Sequence, residues 1–168
     1  ALGNHDVVTG DGAPLLAALA LTTNPVDGSE RYYSFDWGAV HVAVLDTNLP
    51  VTATSPQLVW LAADLAAASG ARWKVLTFHH PVYSSSKHGS SPLLQSTVAP
   101  LCDAHRVDVV FTGHDHDYER SHPMNDRRAT DTSGGPAYVN PAGTVYVVSG
   151  GGGKDLYTRG TSSFTAYS

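Results

Sequence analysis

Residues 107–123 read VDVVFTGHDHDYERSHP. The apolar run at its start is short and β-branched, which predicts a buried strand rather than a helix. It stops at Gly113, and His114 and His116 follow with an aspartate between them. A second such run, RWKVLTFHHP at 72–81, ends at His79 and His80. Near-continuous apolar strands of this kind belong to sheets covered by helices, and helical patterns stand on either side. SPQLVWLAADLAAAS at 55–69 places Leu58, Leu61, Ala62 and Leu65 at helical spacing; Ser55 is positioned to cap it, Pro56 suits its first turn and Gly70 ends it. SSPLLQSTVAPLCDAH at 90–105 repeats the Ser-Pro start, with Pro100 expected to interrupt it. DGAPLLAALAL at 11–21 predicts a short helix. RYYSFDWG and AVHVAVLDT, 31–47, predict paired strands turning at Gly38, and AGTVYVVSGGGG at 142–153 a last strand entering a glycine loop. The alternation predicts an α/β layered fold with mixed strand directions. In such folds ligand sites gather beyond the carboxyl ends of the strands, where both His79 and His114 fall.

Composition narrows the function. The 168 residues suffice for one domain with a sizeable core. A formal charge of −5 with few lysines argues against a nucleic-acid or anionic-membrane surface, since the pair in NDRRAT is the only adjacent arginines. No apolar stretch reaches membrane-spanning length and nothing resembles a signal peptide. The single Cys102 excludes an intrachain disulfide and reads as a small buried side chain. SGGGGK at 149–154 lacks the spacing of a phosphate-binding loop and reads as a flexible loop near the site mouth.

Histidine is the unusual residue: there are nine, and five fall in three tight groups. Asn4 and His5, His79 and His80, and His114 and His116 are all placed at loop positions. Neutral imidazole is the commonest metal ligand and accepts Fe, Zn or Mn. With Gly113 allowing an unusual backbone, His114 and His116 could address two neighbouring ions.

Taken in order, GNHD (3–6), FHHPVYSS (78–85) and GHDHDYERSHP (113–123) resemble the calcineurin-like metallophosphoesterases, and among them the purple acid phosphatases most closely. YYSFDWGAVHVAVLDT resembles that family's strand pair, so the similarity covers most of the chain. The resemblance implies a layered mixed-sheet sandwich of the metallophosphoesterase type. It also implies that Asn4, His79 and His114 hold one metal ion and His116 the other, while His5 sits beside the substrate phosphate to stabilise the transition state or protonate the leaving oxygen. His80 matches a variable position before Pro81. His88 falls where plant-type members place a substrate-side histidine, and Asp6 and Asp117 are candidates to orient the imidazoles, a surface carboxylate being the other reading of Asp117. Two ions about 3.5–4 Å apart would clamp a phosphomonoester or diester for in-line attack by hydroxide.

The family's first two metal motifs, D-x-[HG] and G-D-x-x-[DY], do not precede GNHD, and Gly10-Asp11 reads as a turn and helix start. The expectation is therefore a partial catalytic domain over 1–168 that alone holds one ion or none. Such a chain would be inactive by itself, would expose apolar sheet surface, and would have the remaining N-terminal portion of the domain as its partner. An extracytoplasmic or secreted location is expected from the lysine-poor composition and from the resemblance. Two alternatives stand beside this: a non-catalytic domain of the same fold, or a mononuclear site of Asn4, His79, His114 and water. His41 reads as an ordinary strand residue, His105 as a partner of a helix dipole, and Tyr83 and Tyr118 as packing or hydrogen-bonding support behind the histidines. His122 has no assigned role.

Overall fold

The computed structural model describes residues 1–134 and 137–168. A turn at the start leads into α1 (Ala13–Ala18), and β1 (Tyr33–Trp37) and β2 (Val40–Val44) form an antiparallel hairpin about Gly38. Gly38 has a φ of 60°, a left-handed conformation that glycine adopts without strain. Then follow α2 (Pro56–Ala67), β3 (Trp73–Thr77), α3 (Pro92–Thr97), α4 (Ala99–His105) and β4 (Val109–Thr112). The interruption expected at Pro100 separates α3 from α4: proline at the start of a helix loses nothing, whereas inside one it breaks the ladder.

The seven-stranded sheet is ordered β1-β2-β3-β4-β8-β5-β9, where β5 is Tyr118–Ser121, β8 Val145–Ser149 and β9 Thr165–Tyr167. β2, β3, β4 and β8 are parallel neighbours, while β1 and β5 run antiparallel to them. β6 (Met124–Asn125) and β7 (Arg128–Ala129) form a separate two-stranded hairpin, bridged through Met124 to Thr144 just before β8. One correction to the sequence reading arises here: β8 is not the last strand, because β9 follows. YERS, which the sequence pattern assigns to no element, forms β5. The inward positions of β5 are Glu119 and Ser121, polar residues that disguise a strand. Ser121 Oγ accepts from Tyr146 N, and Glu119 accepts from Ser85 and Thr165.

One face of the sheet is covered. Ala43, Leu76, Val110 and Tyr146 join Leu58, Leu61 and Leu65 of α2, Leu94 of α3 and Cys102 of α4 in one buried cluster. Ser55 occupies the N-cap of α2, but its hydroxyl donates to Thr52 O instead of capping; at α3, Ser91 Oγ does accept from Leu94 N. His41 is a strand residue whose two ring nitrogens each lie 2.8 Å from a carboxylate, Asp36 and Asp64, tying β1, β2 and α2 together. Among the described residues, much of the opposite face of the sheet is uncovered. The register aligns Phe35 with Val42 and Val75, and Thr77 with Phe111. On that face Phe35, Trp37, Trp73, Phe111 and Tyr167 are exposed, Trp37 to 80%. No helix among the described residues is long and apolar enough to cross a membrane.

Candidate metal centre

Three adjacent parallel strands deliver the site. The ladder continues past their ends: Leu45 N donates to Thr77 O, Phe78 N to Phe111 O, and Gly113 N to His79 O. These bonds set the turns after β2, β3 and β4 side by side, so Thr47, His79 with His80, and His114 converge. Asn4 reaches them from the N-terminal turn. Asn48 Nδ2 donates to Leu2 O, Gly3 N donates to Asp6 Oδ2 at 2.8 Å, and buried Leu2 anchors the turn. A side chain at Gly3 would have its Cβ 2.9 Å from His79 Nδ1, so the GNHD turn needs glycine there to pass beneath the imidazole.

His79 Nε2 lies 2.7 Å from Asn4 Oδ1 and 3.1 Å from His114 Nδ1. A single ring nitrogen offers at most one hydrogen, so it cannot satisfy both neighbours. A cation at this junction would take all three lone pairs. His80 joins them: one ligand atom each from His79, His80 and His114 lie within 4.8 Å of one another. Thr47 Oγ1 is 2.7 Å from His80 Nδ1, which leaves Nε2 of that ring for other use. Burial first, and then neighbouring imidazoles, push His79 and His114 down to about 4, holding both rings in the neutral, metal-binding form. His80 is lowered as well, again mainly by burial. His114 has a φ of 67°, a left-handed backbone uncommon outside glycine.

His116 takes a different course. Its ring stacks on Tyr157 at 4.3 Å and 20°, and its buried Nδ1 has no hydrogen-bond partner among the described residues. An orphaned ring nitrogen of this kind suits a ligand the chain does not itself provide. Tyr157 N donates to His116 O, and Lys87 lies over the Tyr157 ring. The glycine loop thus reaches the site through Tyr157. His88 also stands at the cluster, its ring 4.3 Å from that of His114. His5 is exposed in the turn beyond Asn4, and Asp6 is fixed by its bond to Gly3 N.

The comparisons with known proteins give the family. The calcineurin-like phosphoesterase pattern matches residues 1–118. The chain belongs to the calcineurin-like phosphoesterase family. Over 130 residues it is 36% identical to purple acid phosphatase 21 of Arabidopsis thaliana, a match covering 75% of this chain and 28% of that protein. Purple acid phosphatase 18 of the same plant is 34% identical over 131 residues, with the same coverage. The structure of purple acid phosphatase from yellow lupin (Lupinus luteus) seeds superposes with a TM-score of 0.81 at 25% identity, covering 99% of this chain and 31% of that one. The chain therefore spans less than a third of the length of these relatives.

Several residues around the histidine cluster were not singled out by sequence. Asp115 is fully buried and accepts from Ser84 Oγ, His88 N and Gly89 N. Thr47 and Tyr157 show no motif at all; only their contacts place them. Asp117 is 4% exposed and pushed up by burial, which overturns its reading as a surface carboxylate. Tyr83 packs in the core against Tyr146 as expected, whereas Tyr118 lies exposed against Tyr167 rather than behind the histidines. His105 closes α4, with its carbonyl accepting from Lys74 Nζ, and His122 Nδ1 is 3.3 Å from Tyr138 OH.

Proposed function

We propose that this chain carries part of a dinuclear metal-dependent phosphoester hydrolase acting on phosphomonoesters or diesters. The observation that supports this best is the meeting of Asn4 Oδ1, His79 Nε2 and His114 Nδ1 at one point beyond the sheet edge. Asn4, His79 and His114 would hold one ion and His116 would contribute to the other, with Fe, Zn or Mn suited to these donors. When bound, such ions supply charge neutralisation and an activated water. The chain's own residues do the rest. Gly3 and Gly113 keep the backbone close to His79, Thr47 orients His80, and His5 and His88 bring imidazoles to the substrate side for proton donation.

The remaining part of the catalytic domain is proposed as the companion that covers the open sheet face, together with an extracytoplasmic location. The length of the relatives and the exposed Phe35, Trp37, Trp73 and Phe111 support that companion. Metal analysis of the full-length protein should find two ions per chain, with turnover of p-nitrophenyl phosphate abolished in His79→Ala. A metal-free protein with full activity sinks the reading. Robust turnover by the purified 168-residue chain would instead remove the need for a companion.

A single-ion site is the second reading, favoured by the approach of His80 to His79 and His114. Cobalt substitution separates the two: a single cobalt per chain, with an absorption spectrum altered by His80→Ala, selects the mononuclear site.

A further inference from the structure

We propose that Asp115 is a positioning residue that sets His88 against the histidine cluster, an inference resting on the phosphoesterase reading above. Asp115 stands between His114 and His116, with no exposed surface. Because His114 adopts a positive φ, the chain turns there, and Asp115 faces the loop of residues 84–89. Its carboxylate accepts from Ser84 Oγ at 2.5 Å, from His88 N at 2.8 Å and from Gly89 N at 3.3 Å. A buried carboxylate is costly unless such donors are supplied, so the three bonds hold as a set. Two of them grip the backbone of His88 and its neighbour.

The position of Asp115 is itself fixed. Its N–H donates to Gly113 O, and Gly150 passes so close to Asp115 O that a Cβ there would collide. The loop has a second anchor at Glu119, which accepts from Ser85 N and Ser85 Oγ, both at 2.7 Å. On its other side, His88 presents its ring to His114 at 4.3 Å and to Tyr157 at 5.7 Å. It also lines a cavity of about 250 Å³ shared with His80 and His114. The residue between the two histidines of the G-H-x-H block thus ties the His88 loop to the segment that presents His114. Small errors in such a distance carry large rate penalties.

The test is a cycle of Asp115→Asn, His88→Ala and the double variant in the metal-loaded full-length protein, assayed with p-nitrophenyl phosphate. Asp115→Asn should lower kcat/KM about 10- to 100-fold, the range seen when a partner orienting a site residue is removed. In the His88→Ala background it should cost nothing further. A full, independent loss in that background would make Asp115 a general structural brace and overturn the proposal. Backbone amide exchange at His88 and Gly89 reads the same contact without activity: faster exchange in Asp115→Asn is expected, and unchanged exchange overturns it. Should Asp115→Asn not fold, Ser84→Ala removes one donor and should give a smaller change of the same sign in both measurements. A wild-type protein without phosphatase activity would sink the hydrolase reading, while the exchange measurement still decides the contact.

Discussion

Leu76 and His79 lie three residues apart on one run of chain, and their surroundings differ in kind. Leu76 has no exposed surface and packs in the cluster that includes Leu58, Leu61 and Val110. His79 faces an amide oxygen and a second imidazole with a hydrogen for only one of them. The body under α2, α3 and α4 is complete in itself, because dispersion contacts and buried area need nothing from outside. The edge is not complete. Its neutral rings crowd one another, His114 is held in an uncommon backbone conformation, and the donors point at a common space. Uncompensated groups of this sort persist at functional sites, where stability is given up for a ligand.

The largest effect that could break this contrast lies in the body. Leu76→Ala should destabilise the protein by about 2–5 kcal/mol, measured by urea unfolding, as expected for a fully buried leucine. A loss below about 1 kcal/mol would mean that this face of the sheet is not closely packed. The edge should respond to a ligand instead. Zn²⁺ or Mn²⁺ at about a hundred times its dissociation constant should add about 2.7 kcal/mol, read as a rise in Tm that EDTA reverses. His79→Ala should abolish that rise, and Leu76→Ala should leave it intact, since the two sites share no partner.

The same contrast explains what the sequence disclosed. The body was legible because its signal is periodic: VLTF, VVFT and the leucines of α2 each repeat at the spacing of their element. The histidine blocks were legible because the carboxyl ends of parallel strands collect ligands. What escaped depends on contacts between distant segments. YERS showed no strand pattern because the partners of Glu119 and Ser121 lie at Ser85, Thr165 and Tyr146. Tyr118 could not be assigned a side until the register with β8 and β9 was known. The approach of His80 depends on Thr47, 33 positions away, and Asp115 on Ser84, 31 positions away. No local pattern encodes either.

Acid should sharpen the contrast. His79 and His114 have an ordinary value near 6.5 and are held down to about 4 in the folded, metal-free protein. Between those values the unfolded chain binds protons that the folded chain refuses, so stability falls as pH drops from about 6.5 towards 4 and this contribution levels off below. Above 6.5 these two groups contribute no slope. Urea midpoints of the metal-free protein across pH 4–7 check this, and His79→Ala should flatten the curve. The bound ion should also survive into acid, because protons compete weakly for rings with such low affinity. Metal loss already near pH 6.5 would contradict the burial assigned to them.

The smallest effect carries the unusual sign. His114→Gly should leave the metal-free protein as stable as the wild type or more stable, by up to about 1 kcal/mol, because glycine accepts positive φ without the steric cost borne by histidine. Against this stands the larger entropy glycine loses on folding, which keeps the gain small. Metal binding should be lost in the same variant, so a thermal scan with and without Zn²⁺ reads both consequences. If His114→Gly destabilises the metal-free protein as strongly as Leu76→Ala does, the edge is as self-sufficient as the core, and the incompleteness inferred from the meeting of Asn4, His79 and His114 is wrong.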